Sequence, residues 1–257
     1  MRTVACLIGI LCSAHVAGAQ PAVPASSAQQ TAAASAADDQ TITIGELFTG
    51  LGHDLTRLPS IGNALTLAAG GALSIGVHEE DASLTRRAHA SEPLDEVFDA
   101  GAKTGSGWFQ VGGAVAVYAV GRIGKYGRMT EVGADLVQAQ VLNTVITTGL
   151  KVAVDRTRPD QGKYSFPSGH TSSTFASATV LQRQLGWKVG APAYAVALYV
   201  GASRMTENRH FASDVIFGAA LGVVAGRTVT VGHGGGRFAL APTLVPRGAA
   251  VMFNHVN

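Results

Sequence analysis

The chain has 257 residues, 47% of them hydrophobic and 14% charged, with Gly at 32 positions. That composition excludes a disordered chain, a collagen-like repeat and a disulfide-stapled mini-protein. A net charge of +2 argues against both a nucleic-acid-binding face and an acidic tail. The total conceals a split, since residues 20–150 carry net −6 and residues 151–257 net +7. Such a split fits a localised anion site in the second half, and equally a segregation that folding re-mixes.

Residues 1–19 read as a secretory signal peptide: Arg2 supplies the positive start, Val4 to Leu11 the apolar core, and Ala17-Gly18-Ala19 the small-residue cleavage pattern. Both cysteines, Cys6 and Cys12, lie inside it, so the processed chain has no thiol or disulfide chemistry and suits an oxidising, periplasmic compartment. Residues 20–40 are Ala, Ser, Gln and Pro with almost no large apolar side chain, the composition of a linker. From 41 to 231 apolar stretches recur at helical length, at Ile61–Val77, Trp108–Ile123, Val132–Val154, Thr171–Trp187, Ala191–Ala202 and Asp214–Val231. They predict an all-α bundle of about six helices. The intervening segments are His78–Gly107, Gly124–Glu131, Asp155–Pro167 and Gly232–Gly236. The first of these, rich in Asp and Glu, reads either as a cover over a pocket mouth or as a solvated loop with a short acidic helix. The tail, 232–257, has two short apolar runs about Pro246-Arg247-Gly248, the pattern of a short C-terminal β-hairpin.

A mean hydropathy of +0.23 is high for a soluble protein. However, Val132–Val154 holds Asp135, Gln138, Gln140, Asn143 and Lys151, and Thr171–Trp187 holds Gln182, Arg183 and Gln184. Polar groups of this kind are costly in lipid unless they face a bundle interior. The expectation is therefore a soluble or membrane-associated bundle, with integral insertion as the alternative.

Three clusters in the second half carry chemistry. In the first, Lys151 is followed seven residues later by Arg158-Pro159; the lysine closes a helix and the proline takes the chain out of helical geometry. Two cations then project from a helix end, although cations there also simply complement the helix dipole. The second is Pro167-Ser168-Gly169-His170, directly before a helix. A hydroxyl and free backbone N–H groups converge at such an entry, which makes an anion site or a plain N-cap. The third is Ser203-Arg204, then His210, then Asp214. Four residues apart on a helix, His210 and Asp214 share a face, and the carboxylate can hold one ring proton and leave the other nitrogen as a nucleophile. A surface ion pair has the same spacing.

Taken together the clusters resemble the signature of the type 2 phosphatidic acid phosphatase (PAP2) superfamily, which includes bacterial class A acid phosphatases and vanadium-dependent haloperoxidases. That signature is Lys, six residues, Arg-Pro; then Pro-Ser-Gly-His; then Ser-Arg, five residues, His, three residues, Asp. All of its positions are filled here, and the resemblance is strongest over 133–228. It implies a helical bundle with its active site at helix ends. By it, His210 attacks phosphorus and becomes a phosphohistidine, Asp214 orients it, and His170 protonates the leaving oxygen and later deprotonates water. Lys151, Arg158, Ser168, Gly169 and Arg204 hold the phosphoryl oxygens.

Three fixed cations neutralise the developing charge of phosphoryl transfer, and no metal-binding motif accompanies them, so neither metal nor cofactor is expected. The expected partner is a phosphorylated lipid, as monoester or pyrophosphate, met at a membrane surface; no nucleic acid is expected. The alternatives are a broad-specificity periplasmic acid phosphatase on soluble monoesters and a vanadate-dependent haloperoxidase. A catalytically idle lipid or phosphate carrier fits less well, since binding requires cations but no oriented nucleophile.

Overall fold

In the computed structural model, Thr56 and residues 58–90, 95–230, 237–245 and 248–256 are described. The expected signal peptide, linker and Gly232–Gly236 loop lie outside them. Among the described residues there are eight helices: α1 (Ile61–His78), α2 (Asp81–His89), α3 (Asp95–Gly105), α4 (Gly107–Ile123), α5 (Gly127–Val154), α6 (Gly169–Leu185), α7 (Trp187–Thr206) and α8 (Ala212–Thr230). A hairpin of β1 (Arg237–Val245) and β2 (Gly248–Val256) follows, antiparallel, in a register from Arg237 opposite Val256 to Val245 opposite Gly248.

The starts of two helices are local events. Ser60 accepts the Asn63 N–H (3.2 Å) ahead of α1, and Ser106 accepts the Phe109 N–H (3.3 Å) ahead of α4, each satisfying a donor that the first turn leaves unpaired. All six helices expected from hydropathy are present, with three corrections. Helix α5 starts at Gly127, five residues early. Helix α6 stops at Leu185 because Gly186 takes φ +78°, so Trp187 opens α7 rather than closing α6. Third, the described residues of the acidic segment 78–107 form two helices, α2 and α3, rather than one, and Asp81 is only 3% exposed while Glu79 and Glu80 stay at the surface. Interspersed polar residues hid these helices from a reading based on apolar runs.

The core is assembled from small and branched side chains. Val132, Leu136, Ala139 and Leu142 repeat every three or four residues along α5 and meet Ala176 and Val180 of α6 and Ala225 and Val229 of α8. Polar groups inside it are paired: Gln140 donates to Ser173 O (3.0 Å) and Ser177 Oγ (2.9 Å) and accepts from Ser173 Oγ (2.5 Å).

Helix α8 lies chiefly against α6 and α1, and the α6 contact is set by three glycines one turn apart. A Cβ on Gly218 would stand 2.7 Å from Ser168 O, one on Gly226 2.7 Å from Ala176 O, and one on Gly222 would overlap Ser172 O. Only hydrogen side chains let the two backbones meet so closely.

The exterior is apolar in places where a water-soluble bundle is polar. Ile61 is 82% exposed, Trp108 91% and Ile123 83%, with Leu73, Val145 and Leu198 also on the surface. Helices α1 and α8 are long and apolar enough to cross a membrane.

Gly222→Ala is expected to cost about 1–3 kcal/mol of stability through overpacking, whereas Gly112→Ala, at a position with open space around it, gains up to about 1 kcal/mol of helix propensity. Thermal melts of the two variants in detergent, side by side, test this; equal melting temperatures would contradict the glycine contact.

Candidate active site

The first cluster sits where α5 ends. The helix stops at Val154, where the apolar run ends, because Asp155 turns left-handed (φ 42°) and its N–H closes on Lys151 O at 3.0 Å. Lys151, in the last turn, donates from Nζ to Tyr164 O (2.7 Å). The loop that follows folds on itself: the Arg158 N–H reaches Gly162 O (2.7 Å), and Asp160 accepts the Gly162 N–H (2.9 Å). Arg209 also donates to Asp160 (2.8 Å), which ties this loop to the segment carrying the third cluster.

The second cluster enters α6, which begins at Gly169, so His170 lies in the first turn as expected. Ser168 is fully buried; its Oγ shares a hydrogen bond with Thr171 Oγ1 (2.9 Å) and its N–H donates to Asp214 O (3.0 Å). The end of α3 presses on this point, since a Cβ at Gly105 would lie 3.2 Å from His170 Cβ. A cavity of about 210 Å³ opens here between Lys151, Gly169, His170, Thr147, Asn143 and Ser173.

The third cluster differs from the expected shared helix face. Arg204 O accepts the N–H groups of both Arg209 (3.0 Å) and His210 (3.1 Å), which ends α7 in a turn, and α8 begins only at Ala212. His210 therefore precedes the helix whose first turn carries Asp214. The two still face each other, with His210 Nδ1 3.7 Å from Asp214 Oδ2. At 3.7 Å this is ion-pair proximity, longer than a hydrogen bond, and His210 Nδ1 has no hydrogen-bond partner among the described residues. Asp214 itself is saturated: Oδ2 accepts from Ser165 Oγ (2.5 Å) and the Phe211 N–H (2.9 Å), and Oδ1 from Arg156 Nη1 (2.7 Å). Arg204 is buried and hydrogen-bonded to Glu207.

These segments converge electrostatically, because His170 lies within reach of Arg204, His210, Lys151 and Arg158 at once. Burial pushes the His210 imidazole below its ordinary value of 6.5, against the upward pull of the Asp214 carboxylate, and Lys151 and Arg158 push the same way as burial. A neutral ring results, as a nucleophile requires. Arg158 Nε is a second buried nitrogen without a partner among the described residues, a donor that an oxyanion would satisfy. Among the described residues no group of three or more His, Cys, Asp or Glu is placed to hold a metal ion.

Sequence reasoning missed Arg156, Asp81, Ser165 and Ser213, which surround Asp214. Arg156 had a signal, as a further cation between Lys151 and Arg158. Asp81 had none, since nothing near it in the chain marks it out from its acidic neighbours. A larger cavity, of about 510 Å³, adjoins the site on the side of Arg156 and Ser213, lined by Ile75, Phe166 and Phe217 and by neither catalytic-motif histidine.

Comparison with known proteins agrees with this arrangement. Residues 133–235 match the model of the PAP2 superfamily. The chain is 36% identical over 110 residues to a lipid A 1-phosphatase of Porphyromonas gingivalis, which covers 41% of this chain and 24% of that protein. The chain thus spans about a quarter of the length of the curated relative it matches. Its fold is similar to the crystal structure of Aquifex aeolicus LpxE (TM-score 0.50, 25% identity, 58% of this chain and 93% of that one). It is also similar to a transmembrane PAP2-type phosphatidylglycerolphosphate phosphatase from Bacillus subtilis (TM-score 0.52, 23% identity, 66% and 94%), a likeness of fold. With its three motifs filled and gathered at one end of a helical bundle, the stretch 133–235 of this chain is similar to the PAP2 superfamily.

Proposed function

We propose that this protein is a membrane-embedded phosphatase that removes phosphate from a lipid phosphoester through a phosphohistidine on His210. The observation that carries the reading is the buried, neutral His210 set against Asp214 within reach of Lys151, Arg158 and His170. With Nδ1 turned to Asp214, Nε2 is the nitrogen left to attack. It forms the N–P bond as the ester P–O bond breaks, and His170 gives its proton to the departing alkoxide. His170 then takes a proton from water, whose oxygen displaces His210 from phosphorus and releases inorganic phosphate. Lys151, Arg158 and Arg204 offset the charge on the equatorial oxygens, with the Gly169 N–H and Ser168 beside them. For Arg204 to do so its guanidinium must divide between phosphate and Glu207. The site so composed supplies charge neutralisation from side chains alone.

A lipid substrate and a membrane location are favoured by the exterior. Exposed Ile61, Leu73, Trp108 and Ile123 would each cost water contact in a soluble bundle, and α1 and α8 have the length and apolarity to cross a bilayer. The relatives point the same way, one being named for lipid A and another for a phospholipid phosphate. Soluble monoesters would reach the same site from the water side, so the substrate ratio is the discriminating quantity.

The test is phosphate release by the full chain in detergent, wild type beside His210→Ala, on phosphatidic acid in mixed micelles and on p-nitrophenyl phosphate. Expected are release in EDTA, its loss in His210→Ala, and preference for the lipid; preference for p-nitrophenyl phosphate would make this an acid phosphatase. Arg204→Ala is expected to lower kcat by roughly 10²–10³, and a loss under about tenfold would remove Arg204 from the phosphate site. His170→Ala is expected to retain more activity on p-nitrophenyl phosphate than on an alkyl phosphate, because only a poor leaving group needs the acid. Equal losses on the two would sink that role. Since protonation disables His210 and burial lowers its pKa, the acid limb of kcat/KM, corrected for substrate ionisation, is expected to have its midpoint below pH 6.5; an acid limb centred at or above 6.5 would show the nucleophile to be solvated.

A further inference from the structure

We propose that Arg156, held in place by Asp81, is a positioning residue that sets the Asp214 carboxylate for His210, extending the phosphoryl-transfer machinery from the nucleophile out to α2. This rests on the roles given to His210 and Asp214 under the proposed function.

Arg156 is used by its neighbours on every side. Its Nη1 donates to Asp214 Oδ1 and to Ser213 Oγ, both at 2.7 Å; its Nη2 donates to Asp81 Oδ2 at 2.8 Å; and its guanidinium carbon lies 4.3 Å over the centre of the Phe211 ring. Asp81 in turn accepts the Ser213 N–H on Oδ1 (2.9 Å) and the Ser213 hydroxyl on Oδ2. The planar fork of the guanidinium thus bridges two carboxylates that are both almost wholly buried.

The geometry assigns a direction to this chain. Arg156 occupies Oδ1 of Asp214, so the carboxylate plane is fixed with Oδ2 turned to Ser165, Phe211 and His210. Without Arg156, Oδ1 would lose that donor and the carboxylate plane would rest on the Ser165 and Phe211 bonds to Oδ2 alone, which widens its swing about χ2 and loosens the bearing of Oδ2 on the ring nitrogen. Two buried carboxylates and one guanidinium carry net −1, so the clamp leaves a full negative charge to stabilise His210 as it becomes cationic on phosphorylation. Without Asp81 the same clamp would be neutral and the guanidinium would be held from one side only.

Arg156 is not placed as a phosphate ligand. It lines the larger cavity with Ile75 and Phe217, whereas Lys151, Gly169 and His170 line the smaller one. The clamp also explains why α2 is packed into the bundle, since Asp81 and Thr85 are its buried residues.

The experiment measures kcat and KM of the full chain in detergent for Arg156→Gln, Asp81→Asn and the double variant, with wild type and His210→Ala as references. Arg156→Gln is expected to lower kcat about 30-fold and Asp81→Asn about tenfold, each with KM within about threefold of wild type. The double variant is expected within about twofold of Arg156→Gln, because Asp81 acts through Arg156. A raised KM with kcat retained would make Arg156 a substrate ligand and overturn the proposal, as would single-variant losses that multiply in the double variant. Should Arg156→Gln fail to fold, Asp81→Asn decides by its own kcat and KM: it keeps Oδ1 for the Ser213 N–H and replaces Oδ2, the acceptor from Arg156 and Ser213, by an amide donor that releases the guanidinium. Release that persists in His210→Ala would defeat the underlying reading. Release lost in His210→Ala but unchanged in Asp81→Asn would defeat this inference alone.

Discussion

Everything at the site depends on how closely α8 approaches α6. Gly218, Gly222 and Gly226 present one bare face of α8 to the backbone of Ser168, Ser172 and Ala176. At that separation the Ser168 N–H reaches the Asp214 carbonyl, and the helix entry carrying His170 is fastened to the helix start carrying the carboxylate. Packing of this kind draws on dispersion and small side chains rather than on expulsion of water, and so serves equally in lipid. It also explains a core with little bulk, in which Ala and Val do the work that Leu and Phe do elsewhere.

Asp214 is where that packing becomes chemistry. A wholly buried carboxylate is costly unless its lone pairs are met, and here they are met from three directions: the Ser165 hydroxyl, the Phe211 N–H and the Arg156 guanidinium. Two of the donors come from the α5–α6 loop and one from the entry to α8, so the direction in which the carboxylate faces His210 reports the relative placement of those two segments. The His210 ring is thereby favoured in its neutral form by burial and held beside a carboxylate within the same few ångströms.

The distribution of polarity follows from the same arrangement. The charged side chains of the three motifs gather at one end, Gln140 and its serines satisfy one another inside, and apolar side chains such as Trp108 and Ile123 turn outward. A hydropathy average taken along the chain could not separate this from a soluble bundle, because buried polar residues and exposed apolar ones cancel in it. Of the polar residues of α5 and α6 that argued against lipid in the sequence, Asp135, Gln138, Gln140, Asn143 and Gln184 are buried, whereas Arg183 is exposed.

By itself the sequence determined what is written in short-range patterns. The spacing within each motif and the six apolar helices are properties of neighbouring residues, and the helices stand in three dimensions with shifts of a few positions. The boundary at Gly186 was misplaced because a positive-φ residue leaves little trace in composition. What only the tertiary structure decided was partnership at a distance: Asp81 with Ser213 across 132 residues, Arg156 with Asp214 across 58, and the cavity in which Lys151 meets His170. Those pairings depend on which helix faces meet, and that in turn on the glycine contact between α6 and α8, whose meaning lies in a neighbour's backbone rather than in the residues beside it in the chain.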